Sequence, residues 1–288
     1  MLKKRIVATL VVKDGIVVQS MGFNRYLPVG RPAIAVEFLN KWGIDEIILL
    51  DISASRDGRY PDYAMVRNVS TSCRVPLTVG GGISHIDHIS ELMHCGADKV
   101  ALNQAALQRP ALLTEAARLF GEQSLVASID GLFTDVGHRV YNYLECNTLQ
   151  STPAELAREL QKLGAGEILL NSVDRDGSYR GFDLALIDSV CTAVTVPVIC
   201  CGGAGRSQHF VEVFEKTRVC AAAAANFFHF TEHSVTTAKA LINRNMLVRH
   251  ETYFDYRGAR FDASGRLMKR DDQELEDMLF ERIEKEII

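Results

Sequence analysis

Two glycine-rich turns, Gly80-Gly81-Gly82 and Gly202-Gly203, each end an apolar run and precede a helical pattern. Glycine lets backbone N–H groups approach a ligand closely, and a helix N-terminus presents the positive end of its dipole, so each turn suits a phosphate dianion. Asn103 and Asn226, at the ends of the next apolar runs, offer amide donors to complete two cradles. A single such turn reads equally well as a tight turn; two at matched positions of a repeat favour the anion and imply an elongated ligand with a phosphate at each end. A carboxylate, Asp130, closes "SLVASIDG" (124–131), whereas the similar run "RIVATLVV" (5–12) has Val11 at the matched position. A positioned carboxylate can transfer a proton and a valine cannot. Finally, Arg5, Glu46, Lys99 and Glu167 each start an apolar run. Two positive and two negative charges could close a neutral ring; the alternative is that each snorkels outward.

The elements that must position these residues alternate. Strand-like runs cover 5–11, 46–51, 76–79, 98–102, 124–130, 167–172, 197–201 and 220–225, with helical patterns between them. Ser84 with Asp87, and Thr152 with Glu155, predict capping boxes; Pro153 takes the first helical position and Gly164 the end. Pro110 opens "PALLTEAARLFG", and Asp183 caps "LALIDSVCTAV". Eight β/α units with near-continuous apolar strands predict a parallel sheet closed into a (β/α)8 TIM barrel over residues 1–249. The other candidate, an open doubly wound sheet, lacks a GxGxxG after its first strand. On a barrel both glycine turns and Asp130 fall at the C-terminal face, where active sites are built, and the four charges fall at the base. The barrel reads as two similar halves. "GIDEIILLD" matches "GAGEILLNS", "ASRDG" matches "VDRDG", and "VPLTVGGGIS" matches "VPVICCGGAGR", at an offset of about 120 residues.

Charge and composition exclude several classes. The 288-residue chain carries a net charge of −4, with no basic stripe for nucleic acid and no apolar run long enough to span a membrane. The N-terminal apolar run is too short for a signal peptide. Seven scattered cysteines without a CxxC spacing read as reduced thiols of a cytoplasmic protein, with Cys200 and Cys201 as packing residues. No metal and no cofactor are expected.

The motifs "LLDISAS", "VPLTVGGGI", "GADKVALN", "VASID", "GAGEILLNSVDRDG" and "CGGAG…FFHF" together resemble the HisF family, the cyclase subunit of imidazole glycerol phosphate synthase, over about residues 1–249. The resemblance implies a lyase of histidine biosynthesis that takes ammonia from a HisH-type glutaminase through the barrel. From it and a bisphosphate ribonucleotide, such an enzyme makes imidazole glycerol phosphate and aminoimidazole carboxamide ribotide. It implies ligand contacts at Asp51, Gly81, Gly82, Asn103, Asp176, Gly177, Gly202, Gly203 and Asn226. It further implies an ammonia gate of Arg5, Glu46, Lys99 and Glu167, and a glutaminase-facing surface that includes Asp98 and Arg249. Asn226 stands where the family has serine, and Gln104 where it has threonine.

Three departures cluster at the chemical end. The family places two facing aspartates, general acid and base, on the first and fifth strands; here they are Val11 and Asp130. Gln19 replaces a lysine of the first βα loop, and "GLFTDVGHRVYNYLECNTLQ" after the fifth strand departs from the substrate-contacting pattern. Asp130 on its own also reads as a structural residue bonded to backbone. Kept gate and altered chemistry resemble the HisF-like paralogues associated with amidation of surface-polysaccharide sugars such as the O-antigen of lipopolysaccharide. There a glutaminase and an adenylating sugar amidotransferase convert an acetamido to an acetamidino group. The alternatives are a working cyclase-lyase and a regulatory barrel that binds a bisphosphate without ammonia traffic. Residues 250–288 form an extension. The sequence predicts a loose hairpin over 253–269 and, over 271–288, a helix with a stripe of Leu275, Met278, Leu279, Ile283 and Ile287.

Overall fold

The computed structural model describes residues 3–230, 233–249, 260–263 and 267–268. Eight parallel strands, numbered here in chain order, form its centre: β1 (Arg5–Lys13), β2 (Glu46–Asp51), β3 (Leu77–Gly80), β4 (Lys99–Leu102), β5 (Leu125–Thr134), β6 (Glu167–Ser172), β7 (Val198–Cys201) and β8 (Ala221–Ala224). Each pairs with the next, and β8 pairs with β1, which closes the barrel. Helices lie between successive strands around the outside.

Strand alternation sorts the side chains into two sets. Ile6, Ala8, Leu10 and Val12 of β1 point outward into the large core shared with the helices. Val7 points inward, where it meets Ile48, Ala101, Val126, Leu169, Ile199, Ala221 and Ala223 in a separate apolar cluster that fills the barrel. Below this cluster lie the charged strand starts; above it lie the polar strand ends.

Two antiparallel hairpins decorate the mouth. Ile16–Met21 pairs with the end of β1 and with Arg25–Gly30. Gly137–Asn142 pairs with the extended end of β5. Helix starts follow local chemistry. Thr152 and Glu155 form the capping box ahead of helix Pro153–Lys162. Asp183 accepts from the Leu186 N–H, and its equivalent in the first half, Asp62, accepts from Met65 N–H. The box expected from Ser84 and Asp87 does not form. His85 is the N-cap of helix Ile86–His94, and the Ser84 N–H donates instead to Nδ1 of His88, at 3.3 Å. The second half repeats this device, with the Gly205 N–H on Nδ1 of His209. Burial lowers both imidazoles below their ordinary pKa, which keeps them neutral acceptors.

A buried ion pair ties the base together. Lys239, on helix Ser234–Ile242, donates to Asp45 Oδ1 and to the Gly43 carbonyl, each at 2.6 Å, while Asp45 Oδ2 accepts from the Ile6 N–H at 2.8 Å. After this helix Val248 bridges to Lys4 beside β1, so the extension leaves from the base. Its described part lies elsewhere: the Ala263 carbonyl accepts from Arg206, which follows the β7 glycine turn, at 3.5 Å. Phe261 and Leu267 form one antiparallel bridge of the expected hairpin; the expected helix over 271–288 lies outside the described residues.

Removal of Lys239 leaves a buried carboxylate unpaired. Lys239→Ala is expected to cost about 3–5 kcal/mol in urea denaturation, and the double variant Asp45→Asn/Lys239→Met to recover much of that loss.

Candidate functional site

At the base, Arg5 donates one guanidinium nitrogen to Glu46 and another to Glu167. Lys99 Nζ lies 3.0 Å from Glu46 and 2.7 Å from Glu167. Each cation thus bridges both carboxylates, and the four residues make a closed ring of alternating charge across β1, β2, β4 and β6. Thr78 adds a hydroxyl donor to Glu46 at 3.2 Å. The side chains point inward, with Glu46 1% exposed, so the snorkelling alternative does not hold. Asp98, one residue before β4, is exposed on the same face, one oxygen held by the Leu77 N–H. Arg249 is exposed beyond Val248 on that face too.

At the mouth a cavity is lined by Thr9, Val11, Ser20, Leu50, Asn103, Ser128, Asp130, Asn171 and Cys201 from the strand ends, with Phe23, Tyr26, Arg56 and Tyr143 above them. Asp130 is held between two amides, Asn103 Nδ2 and Asn171 Nδ2, each at 2.9 Å. Its partners are therefore side chains of β6 and of the residue ending β4, rather than backbone. Burial pushes its carboxyl up to about 6, against the pull of these two donors. Val11, opposite in the same cavity, supplies only methyl groups. Cys201 is packed against Thr9, and burial drives its thiol up to about 12, which makes it a poor nucleophile.

The expected ligand-binding residues divide. Asp51, Gly81, Gly82, Asn103 and Asp176 line the cavity, and Gly177, Gly202, Gly203 and Asn226 do not. Asp51 is turned to its own loop, accepting from the Ser53 and Ala54 N–H groups and pairing with Arg59 at 3.6 Å. Asn103 spends its Nδ2 on Asp130 and the Ser128 carbonyl, and Gln104 donates to Asn103 and Asn142. In the second half, Asn226 is occupied at both ends of its amide: Oδ1 accepts from Ser20 N–H at 3.2 Å, and Nδ2 donates to Ser20 O at 2.6 Å. Asp176 accepts from the Ser20 hydroxyl and the Phe23 N–H. Gly177 (φ +66°) is covered by Ser20 and Met21, which a Cβ there would meet within 3 Å. A Cβ on Gly203 would strike the Gly181 carbonyl, and one on Gly82 the Arg59 carbonyl, so close loop packing already demands glycine at both turns. Gln19, buried, donates to the Tyr179 hydroxyl.

A family model described as "Histidine biosynthesis protein" matches residues 5–234. The chain is a member of the HisF family. It is 43% identical over 244 residues to imidazole glycerol phosphate synthase subunit HisF of Geobacillus thermodenitrificans, covering 84% of this chain and 97% of that one. It is 44% identical over 244 residues to the same subunit of Anoxybacillus flavithermus, with the same coverage. A Vibrio vulnificus protein named "Putative imidazole glycerol phosphate synthase subunit hisF2" is 40% identical over 267 residues, covering 92% of this chain and 98% of that one. That coverage reaches beyond the barrel's last described residue, Arg249, into the extension.

Not marked by the sequence were Asn171, whose strand-end position points it inward, Tyr26 on the hairpin strand Arg25–Gly30, and Arg56 and Tyr143, whose loop placement carries no periodic signal.

Asp130 titrates higher folded than unfolded, so its contribution to stability is present below the ordinary carboxylate value of 3.8 and is lost as pH rises through about 6. That loss is on the order of 3 kcal/mol. Asp130→Asn is expected to flatten the dependence of folding free energy on pH between about 4 and 6, measured by urea denaturation.

Proposed function

We propose that this HisF-family barrel receives ammonia at its base from a HisH-type glutaminase and passes it to the mouth without performing efficient cyclisation itself. The observation that carries the reading is the contrast between its two ends. The base keeps a complete ring of Arg5, Glu46, Lys99 and Glu167, while the mouth pairs Asp130 with Val11. Proton transfer by a positioned side chain contributes typically 10²–10⁴-fold, and valine supplies none of it. Gln19, bound to Tyr179, offers no charge in place of a lysine. Ammonia released at the mouth is then available to an acceptor on another protein. The pattern fits amidation of a surface-polysaccharide sugar, in which an adenylating amidotransferase activates the acetamido group and ammonia displaces the adenylate to give an acetamidino group. The relatives' names, each that of a synthase subunit, support a partner subunit.

A second reading, retained cyclase activity, is favoured by the HisF relatives and by the elevated carboxyl of Asp130, which suits proton transfer near neutrality.

The docking half of the proposal is tested with purified HisH-type glutaminase. Asp98→Lys, on the exposed rim of the base, is expected to weaken association at least tenfold by calorimetry and to reduce stimulation of glutamine hydrolysis in step. Unchanged affinity and unchanged stimulation would refute a glutaminase at this face.

A further inference from the structure

The chain beyond the barrel returns to the mouth. It leaves the base at Val248, yet its described part sits at the opposite end, where the Ala263 carbonyl accepts from Arg206. Gly205, the residue before Arg206, packs on Tyr179 of the loop after β6, so the extension arrives beside that tyrosine. Leu267 and Met268, the last described residues, are exposed apolar side chains. Only Lys269 and Arg270 follow before the segment 271–288, which therefore begins within about 10 Å of Met268.

The surface it meets is built twice by the repeat. The loop after β2 reads Arg56-Asp57-Gly58-Arg59-Tyr60, and the loop after β6 reads Arg175-Asp176-Gly177-Ser178-Tyr179-Arg180. β2 and β6 are four strands apart in the closed ring of eight, so the two loops face each other across the mouth. Each presents an exposed tyrosine, Tyr60 at 69% and Tyr179 at 45%. Phe133, also exposed, stands beyond the end of β5, the neighbour of β6. Every carboxylate in the two loops is engaged: Asp57 by Arg59, Asp62 by the Met65 N–H, Asp174 by the Phe133 N–H, Asp176 by the Ser20 hydroxyl, and Asp183 by the Leu186 N–H and His138. Arg56, Arg175 and Arg180 form no ion pair among the described residues. The rim is thus aromatic and cationic, with its positive charge unmatched.

Residues 271–288 have the complementary character. Eight carboxylates stand against two cations, Arg282 and Lys285, and Leu275, Met278, Leu279, Ile283 and Ile287 make one apolar stripe in a helical pattern. A lone helix of this length is marginal in water and needs a surface. At ~1.5 Å per residue it is about 27 Å long. Eight strands ~4.8 Å apart and tilted by ~36° close into a ring about 15 Å across, so the helix reaches from one tyrosine loop to the other.

We infer that 271–288 lies as a helix across the mouth, its apolar stripe on Tyr179, Phe133 and Tyr60 and its acidic flanks against Arg56, Arg175 and Arg180. In that place it covers the cavity that holds Asp130. The inference stands whichever route ammonia takes.

Photocrosslinking of the full chain tests it, with p-benzoylphenylalanine in place of Tyr60 or, separately, of Phe38, an exposed aromatic of the outer helix Pro32–Lys41. The Tyr60 probe is expected to join 271–288 within one chain, at least fivefold more than the Phe38 probe does. Met278→Gln/Ile283→Gln, which lies outside the barrel, is expected to cut that yield at least fivefold and to speed amide hydrogen exchange in the segment at least tenfold. An adduct of the Tyr60 probe found only between two chains assigns the surface to a second copy and overturns the inference. So does an equal or greater yield from Phe38, which places the segment on the barrel wall. Absence of any adduct from Tyr60, or exchange unchanged by the double substitution, overturns it as well.

Discussion

The strand alternates its side chains between two faces, and closing eight strands into a barrel turns one of those faces into an enclosed interior. Every charged residue that points there must find its partner inside. The ring at the base meets this constraint: Arg5 and Lys99 each bridge Glu46 and Glu167, so four charges leave the solvent with none unpaired. The pairing is a condition of the fold. Loss of one member would strand a charge under the apolar cluster of Val7, Ile48, Val126 and Leu169. The same interior, two layers higher, holds Asp130, which is satisfied by amides and has no cation. Burial without a cation beside it raises its carboxyl above the ordinary carboxylate value.

Much of this was legible in the sequence because periodicity and duplication speak directly about strands. All eight predicted strand runs correspond to β1–β8, and the place of Arg5, Glu46, Lys99 and Glu167 at the base follows from their position at strand starts, whereas their turning inward to pair was one of two readings the sequence left open. Thr152 and Asp183 cap as their local patterns require. Long-range side-chain pairing was not legible. Lys239 and Asp45 lie far apart in the chain, and nothing near either names the other. The Ser84–Asp87 box failed for a local reason: His88, one turn on, offers Nδ1 to the same backbone N–H. The amides of Asn103, Gln104 and Asn226 looked free for a ligand, because a sequence does not display the neighbouring strand that claims Asn103 or the hairpins that claim Gln104 and Asn226.

Duplication explains how the two halves came to share devices, and the site lies where they part. His88 and His209, and Asp62 and Asp183, repeat at equivalent positions and act on helix starts. Such contacts depend only on neighbouring backbone and survive in both copies. Val11 and Asp130 depend on what the cavity must do. Valine where the family resemblance implies a carboxylate leaves the barrel intact, because the strand end accommodates it; on the proposed reading one of two proton-handling groups is then absent. The 267-residue match to the hisF2-named protein of Vibrio vulnificus, against 244 for the HisF subunits of Geobacillus thermodenitrificans and Anoxybacillus flavithermus, associates this chain with a relative that also has sequence beyond the barrel.

On the proposed reading, a barrel with a complete charge ring and a single acid conducts ammonia without using it for cyclisation. The direct measurement is turnover of the bisphosphate ribonucleotide by the purified chain with saturating ammonium salt, so that no glutaminase is needed. The expected rate is at least a hundredfold below an ordinary enzymatic value of roughly 1 s⁻¹. Val11→Asp alone is not expected to restore such a rate, since Gln19 and the hairpin after β5 remain. Turnover near 1 s⁻¹ by the unaltered chain would contradict that reading.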